Sequence, residues 1–104
     1  MADLVFYVKL LVKPEHVDEW LNAVNEVITE MTNEDAFIEC KLHRDAMNPL
    51  LFTLYERWAE PSVEAFLVNQ AKPYRAAYDA KLDRLLQGPR EPQVLVPMGA
   101  WAKG

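Results

Sequence analysis

Glycine, cysteine and histidine are scarce in this 104-residue chain, and each scarcity excludes something. The three glycines stand at 88, 99 and 104, so no Gly-rich loop can cradle a phosphate and no nucleotide fingerprint fits. Cys40 is alone, which rules out a disulfide framework within the chain and fits a reducing compartment. Placed mid-strand among apolar neighbours, it reads as an inert buried thiol rather than a nucleophile. The two histidines fall on different elements, so no metal site is expected. His16 sits in the first turn of a helix, opposite its apolar stripe, and reads as a solvated residue. His43 ends a strand and is a candidate base at a cavity mouth. Positive charge is also short: 11 Lys and Arg stand against 16 Asp and Glu, for a net charge of −5. Phosphate backbones need a basic stripe, so nucleic acid is not expected as a partner. No run of like charge marks a membrane patch. Met1-Ala2-Asp3 carries no basic segment, and the apolar stretch that follows is strand-length and interrupted by Lys9. Neither a signal peptide nor a membrane span is expected, and the expected location is cytoplasmic.

Apolar side chains are abundant instead, at 51% of residues, with three Trp, four Tyr and four Phe. At this length one domain, residues 1–104, is the natural count. A two-layer domain of this size is marginal by itself. The aromatic surplus therefore predicts an oligomer, an internal ligand cavity, or both.

The pattern reads strand, helix, strand, then strand, helix, strand. Residues 4–13 form a nearly continuous apolar β run, so both of its faces are expected to be covered. Pro14 opens a helix at its first turn, where a missing N–H costs nothing. Glu15, Asp18 and Glu19 favour the positive end of its dipole. Val17, Trp20, Leu21, Val24, Ile28 and Met31 trace its apolar stripe to about Thr32. A second strand spans 36–44. Simple alternation puts Phe37, Glu39, Lys41 and His43 on one face and Ile38, Cys40 and Leu42 on the other. Asp45 to Pro49 is a turn. A third strand, 50–58, sets Phe52, Leu54, Glu56 and Trp58 against Leu51, Thr53, Tyr55 and Arg57. Ser62 caps a helix over 63–71, Pro73 breaks it, and a second segment runs to about Gln87. Gly88-Pro89 predicts a glycine stop. A last strand is expected over 93–98, with Trp101 in the tail. This order predicts an α+β, ferredoxin-like βαββαβ fold, an antiparallel sheet with helices on one face.

The Pro73 break places Asn69, Tyr74 and Tyr78 around a helix discontinuity over a sheet carrying Tyr7 and Trp58. That arrangement fits a pocket for a flat, partly polar ligand, or an ordinary aromatic core with its hydroxyls reaching solvent.

Leu54-Tyr55-Glu56-Arg57-Trp58, Ser62-Val63-Glu64-Ala65-Phe66 and Lys72-Pro73-Tyr74 together resemble the antibiotic biosynthesis monooxygenase family, which includes cofactor-free quinol monooxygenases. Lys13-Pro14 opening the first helix fits as well. The resemblance covers essentially the whole chain, with about twenty residues carrying its specific part. It implies a homodimer in which two sheets close face to face into an α+β barrel, with a cavity inside each subunit. It implies oxidation of a phenol or hydroquinone by O₂, with neither metal nor organic cofactor, the substrate supplying the electrons. Asn69, Tyr74, Tyr78 and His43 are the candidate catalytic residues; Tyr7, Trp58 and Phe37 are candidates for holding a small aromatic or quinol-like substrate. The chain departs from the family at Asn69 and Tyr74, where many members carry His. Tyr7, Asn69 and Tyr78 stand where a haem-degrading branch has Asn, Trp and an axial His; none of the three matches, so haem degradation is not expected.

The segment from Ala80 to Arg90 is also similar to the helix end of a branch that isomerises a phosphorylated sugar derivative. Lys72, Arg75, Arg84 and Arg90 would be its phosphate ligands, unless they are surface charges. A non-catalytic, ligand-binding dimeric module is a third expectation on the same scaffold.

Overall fold

The computed structural model describes residues 3–104. Four strands form one antiparallel sheet: β1 (Leu4–Leu11), β2 (Phe37–Arg44), β3 (Leu51–Trp58) and β4 (Glu91–Leu95), in the order β2-β3-β1-β4. Helices α1 (Val17–Met31), α2 (Val63–Asn69) and α3 (Pro73–Leu85) form the second layer. Each half is a strand–helix–strand unit whose strands are separated by one strand of the other half. This is the ferredoxin-like plan that the hydropathy pattern predicts.

Register fixes the inner face. Phe6, Val8 and Leu10 of β1 stand opposite Glu56, Leu54 and Phe52 of β3. Directly opposed residues share a face, so all six project toward the helices. They join Trp20, Val24, Val27 and Met31 of α1 and Phe66, Tyr78 and Leu82 of the second helical layer in the buried core. Truncating one of its large aromatic side chains would cost roughly 3–5 kcal/mol. On the other face of β1, Lys9 and Leu11 are exposed within one chain. The continuous apolar run of β1 is therefore covered fully on one side only.

Four sequence expectations shift in the structure. Phe37 lies opposite Trp58, but Glu39 lies opposite Arg57, because a bulge sits between Phe37 and Glu39. The extra residue reverses the alternation. Phe37 thus packs inward, its ring 5.3 Å from that of Trp58, while Glu39, Lys41 and His43 face outward. The last strand begins at Glu91 and includes Pro92. It pairs with β1 alone, and an edge strand tolerates a residue without an N–H. It ends at Leu95, short of Met98. Finally, α3 ends without a glycine stop: Leu86 turns extended, and Gly88 has no positive φ. Burial of Leu85 and Leu86 pulls the chain out of the helix. Lys13 N donates to Leu85 O at 2.9 Å and Gln87 N to Leu11 O at 2.8 Å, so the chain leaves α3 by pairing with the end of β1.

The α2–α3 break falls where Pro73 predicts it. Ser62 Oγ accepts from Ala65 N at 3.1 Å and caps α2. Pro73 opens α3 at its first turn after an extended Lys72. No helix is long and apolar enough to cross a membrane among the described residues.

Candidate active site

A cavity of about 300 Å³ lies between the sheet and the helices. That is near the lower bound for small-molecule pockets, about 300–1,000 Å³, and leaves room for one or two aromatic rings. Phe6, Val8 and Leu54 form part of its apolar floor, Met31 and Phe66 part of its roof. Four polar side chains also line it: Glu56, Tyr78, Arg75 and Arg90.

Glu56 is the residue that sequence reasoning passed over. It occupies an inward position of β3 between Leu54 and Trp58 and is only 6% exposed. The indole N–H of Trp58 donates to its Oε1 at 3.1 Å. Among the described residues no hydrogen bond reaches Oε2. Burial pushes the Glu56 carboxyl above its ordinary value of 4.5, because the charged form loses solvation. The Trp58 hydrogen bond and the positive charges of Arg75 and Arg90 pull the other way. The result is a carboxylate in an apolar pocket with a raised proton affinity, which suits a general base.

Tyr78 lies across the same cavity on α3. It accepts a hydrogen bond from Trp20 Nε1 at 3.2 Å, and its own O–H remains available to donate. Burial raises its pKa to about 12, with the Trp20 hydrogen bond acting in the opposite sense. Tyr78 therefore stays protonated near neutral pH.

The other expected site residues are dispersed. Trp58 is fully buried against Phe37 and Phe66 and does not line the cavity; it acts on the cavity through Glu56. Phe37 likewise packs behind Trp58. Tyr74 opens onto a different groove, between α1 and α3, and donates to Glu34 Oε1 at 3.2 Å. Its pKa rises to about 12, first through burial and then through the Glu34 charge. Asn69 Nδ2 donates to both oxygens of buried Glu60, at 3.1 and 3.0 Å. Tyr7 and His43 lie on the opposite face of the sheet, in a shallow hollow with Lys41, Thr53 and Tyr55. The expectation that Tyr7 faces the helical layer fails on strand parity: Phe6 and Val8 point inward, so Tyr7 points out. Of the seven expected residues, only Tyr78 reaches the cavity.

Cys40 sits opposite Glu56 on the inner face. Burial, reinforced by the Glu56 charge, pushes its thiol up to about 12. It remains a neutral thiol. Among the described residues no three His, Cys, Asp or Glu side chains gather as a metal site would require. Of the four cations considered for a phosphate, Lys72 pairs with Glu34 at 3.3 Å, Arg84 with Glu19, and Arg90 with Asp79 at 2.8 Å. The four do not converge on one anion, although Arg75 and Arg90 both line the cavity.

A ferredoxin-like sandwich with a small, mainly apolar cavity between its layers, a buried carboxylate on its floor and a phenol in its roof, defines an α+β domain with a candidate small-molecule site. The chain belongs to the antibiotic biosynthesis monooxygenase family, whose model matches residues 4–80. A Pestalotiopsis microspora protein named "Putative monooxygenase GME11364" is 26% identical over 99 residues, covering 93% of this chain and 82% of that one. The structure of Rv0793 from Mycobacterium tuberculosis superimposes with a TM-score of 0.83 at 21% identity, over 96% of this chain and 99% of that one. A crystal structure described as an antibiotic biosynthesis monooxygenase gives 0.81 at 18% identity, over 92% and 99%. The structural likenesses support the fold. Membership supports a monooxygenase-like activity at the level of the family.

Proposed function

We propose that this protein is a cofactor-independent monooxygenase that oxidises a phenolic or hydroquinone substrate inside the helix–sheet cavity. The observation carrying this reading is the pairing of buried Glu56 with neutral Tyr78 across an otherwise apolar hollow. Glu56 takes the phenolic proton, and the electron-rich phenolate is held flat between apolar walls. Tyr78 donates to a ring oxygen and orients it. The phenolate passes one electron to O₂, and the radical pair recombines into a carbon-bound peroxide anion. Protonated Glu56 returns its proton to that anion, giving a hydroperoxide. The carboxylate then removes the ring C–H proton as the O–O bond breaks. The leaving hydroxide takes up that proton, so one oxygen atom becomes a new carbonyl and the other becomes water. The substrate supplies all the electrons. The apolar walls limit the water that reaches the radical pair.

The working form in this proposal is a homodimer joined through the outer sheet face. Tyr7 and Tyr55 stand opposite each other there, and Leu11 of the same face is exposed. Beyond β4, Val96, Met98 and Trp101 are also exposed and add apolar surface. An apolar set of this kind on so small a domain is satisfied by a second copy.

The test is oxygen consumption with a dihydroxynaphthalene, read together with product formation under isotopically labelled O₂. The proposal expects uptake above spontaneous oxidation and one labelled oxygen atom in the product. It expects Glu56→Gln to lose about 100-fold or more in kcat/KM, the scale of a general base. Uptake no faster than the spontaneous rate, or undiminished activity in Glu56→Gln, would refute it.

A further inference from the structure

Arg75 projects from α3 to the cavity wall and is partly buried. Its guanidinium lies 5.7 Å above the Phe66 ring centre, and its Nη1 donates to Met31 Sδ at 3.2 Å. A thioether is a weak acceptor, and a guanidinium carries five N–H donors in a planar fork. Of the other cations around the broken helix, Lys72 and Arg84 do not line the cavity, while Arg90 lines it too but is already paired. Lys72, Arg84 and Arg90 each meet a carboxylate. Among the described residues Arg75 forms no ion pair, although it shares the cavity with Glu56. Arg75 feels the Glu56 charge across the cavity but makes no direct ion pair with it, so its fork of donors is left with only a weak thioether acceptor, and an unmatched guanidinium at an apolar wall is costly. The cavity's own ligand is in position to supply the matching anion.

We infer that the cavity selects an aromatic substrate bearing a carboxylate, which Arg75 grips while the ring lies against Phe66. This rests on the proposed oxidation only for the phenolic part of the ligand. Carboxylate geometry suits the planar fork, giving two parallel N–H···O bonds. The ring contact suits the same arrangement, because Arg75 already stacks on Phe66. Placing the acid at Arg75 directs the opposite edge of the ligand toward Glu56 and Tyr78. A phosphate dianion fits less well: the other three cations are engaged, and the walls are mainly hydrocarbon. Arg75 is thus a specificity-determining residue. Glu56 and Tyr78 are assigned the chemistry.

Binding is measured without oxygen, so that affinity is read apart from turnover. Quenching of Trp fluorescence or calorimetry compares dihydroxynaphthalene with dihydroxynaphthoate. The carboxylate is expected to bind about tenfold more tightly or better. Arg75→Gln should abolish that preference, weakening the naphthoate far more than the uncharged ligand. Arg75→Lys, which keeps the charge and loses the fork, should fall between. Equal affinity for the two ligands in the wild-type protein needs no variant to interpret and would overturn the inference. So would a preference that survives Arg75→Gln, or inorganic phosphate displacing the naphthoate at a similar concentration. Carboxylate preference without oxygen consumption would uphold this inference and refute the oxidation. Oxygen consumption with both ligands held equally would do the reverse.

Discussion

Glu56 carries the account at the scale of single residues. Its carboxyl is raised by burial, so two consequences of opposite sign follow. For activity, the base must be ionised. The kcat/KM profile should therefore fall toward acid with a midpoint above 4.5, the ordinary value of the group. Trp58 donates to the ionised form and holds its pKa down. Trp58→Phe should accordingly shift the acid limb to higher pH, a displacement that loss of packing alone would not produce. For stability, the native state binds a proton more tightly than the unfolded chain. Stability is then lost as pH rises from 4.5 through the raised native value. Glu56→Gln should raise Tm at neutral pH relative to wild type, and the gain should vanish in acid below 4.5, where both states are protonated. An unchanged or lower Tm at neutral pH would argue against a costly buried carboxylate. The signal for Glu56 was present in the sequence, as one charge on the apolar side of an alternating strand, between Leu54 and Trp58. Tyr78 was legible because its spacing on α3 sets it on the same side as Leu82 and Leu85.

At the scale of elements, the cavity depends on α2 and α3 being separate helices. A seven-residue helix is too short to be stable by propensity, so α2 relies on its cap and its packing. Ser62→Ala should cost about 1 kcal/mol, read as a lower denaturant midpoint with unchanged slope. It should also weaken ligand binding, since Phe66 of α2 is a cavity wall. The order of strands and helices was readable because the helical period of α1 and the alternation of β3 are clear, and Pro14, Pro61 and Pro73 stand at or just before the helical segments. The phase of Phe37 was not readable. A bulge is a backbone event set by pairing between strands, and no residue type in that stretch announces it. The same holds for the exit from α3, which follows from burial of Leu85 and Leu86 rather than from Gly88.

At the scale of the whole molecule, one sheet face is roofed by helices and the other is open. The open face mixes tyrosines with Lys9, Glu39, Lys41 and Arg57; Arg57 is tied to Glu39 at 3.1 Å and to Asp3 at 2.5 Å. Light scattering should give a mass about twice 12.0 kDa. Tyr55→Asp should shift the protein toward monomer, through a desolvated charge at the proposed interface. A wild-type monomer at micromolar concentration would remove the homodimer from the proposal and leave the cavity chemistry standing.

The most direct test is occupancy of the cavity, and the chain carries its own reporters. The indole N–H of Trp58 is bonded to Glu56, that of Trp20 to Tyr78, and Trp101 is 91% exposed on the tail. Heteronuclear NMR during an oxygen-free titration with a hydroquinone should move the Trp58 and Trp20 indole resonances together and saturably, while Trp101 stays fixed. Fixed Trp58 and Trp20 signals, with shifts instead at Tyr7, His43 and Tyr55 on the outer face, would place the ligand elsewhere and contradict the account.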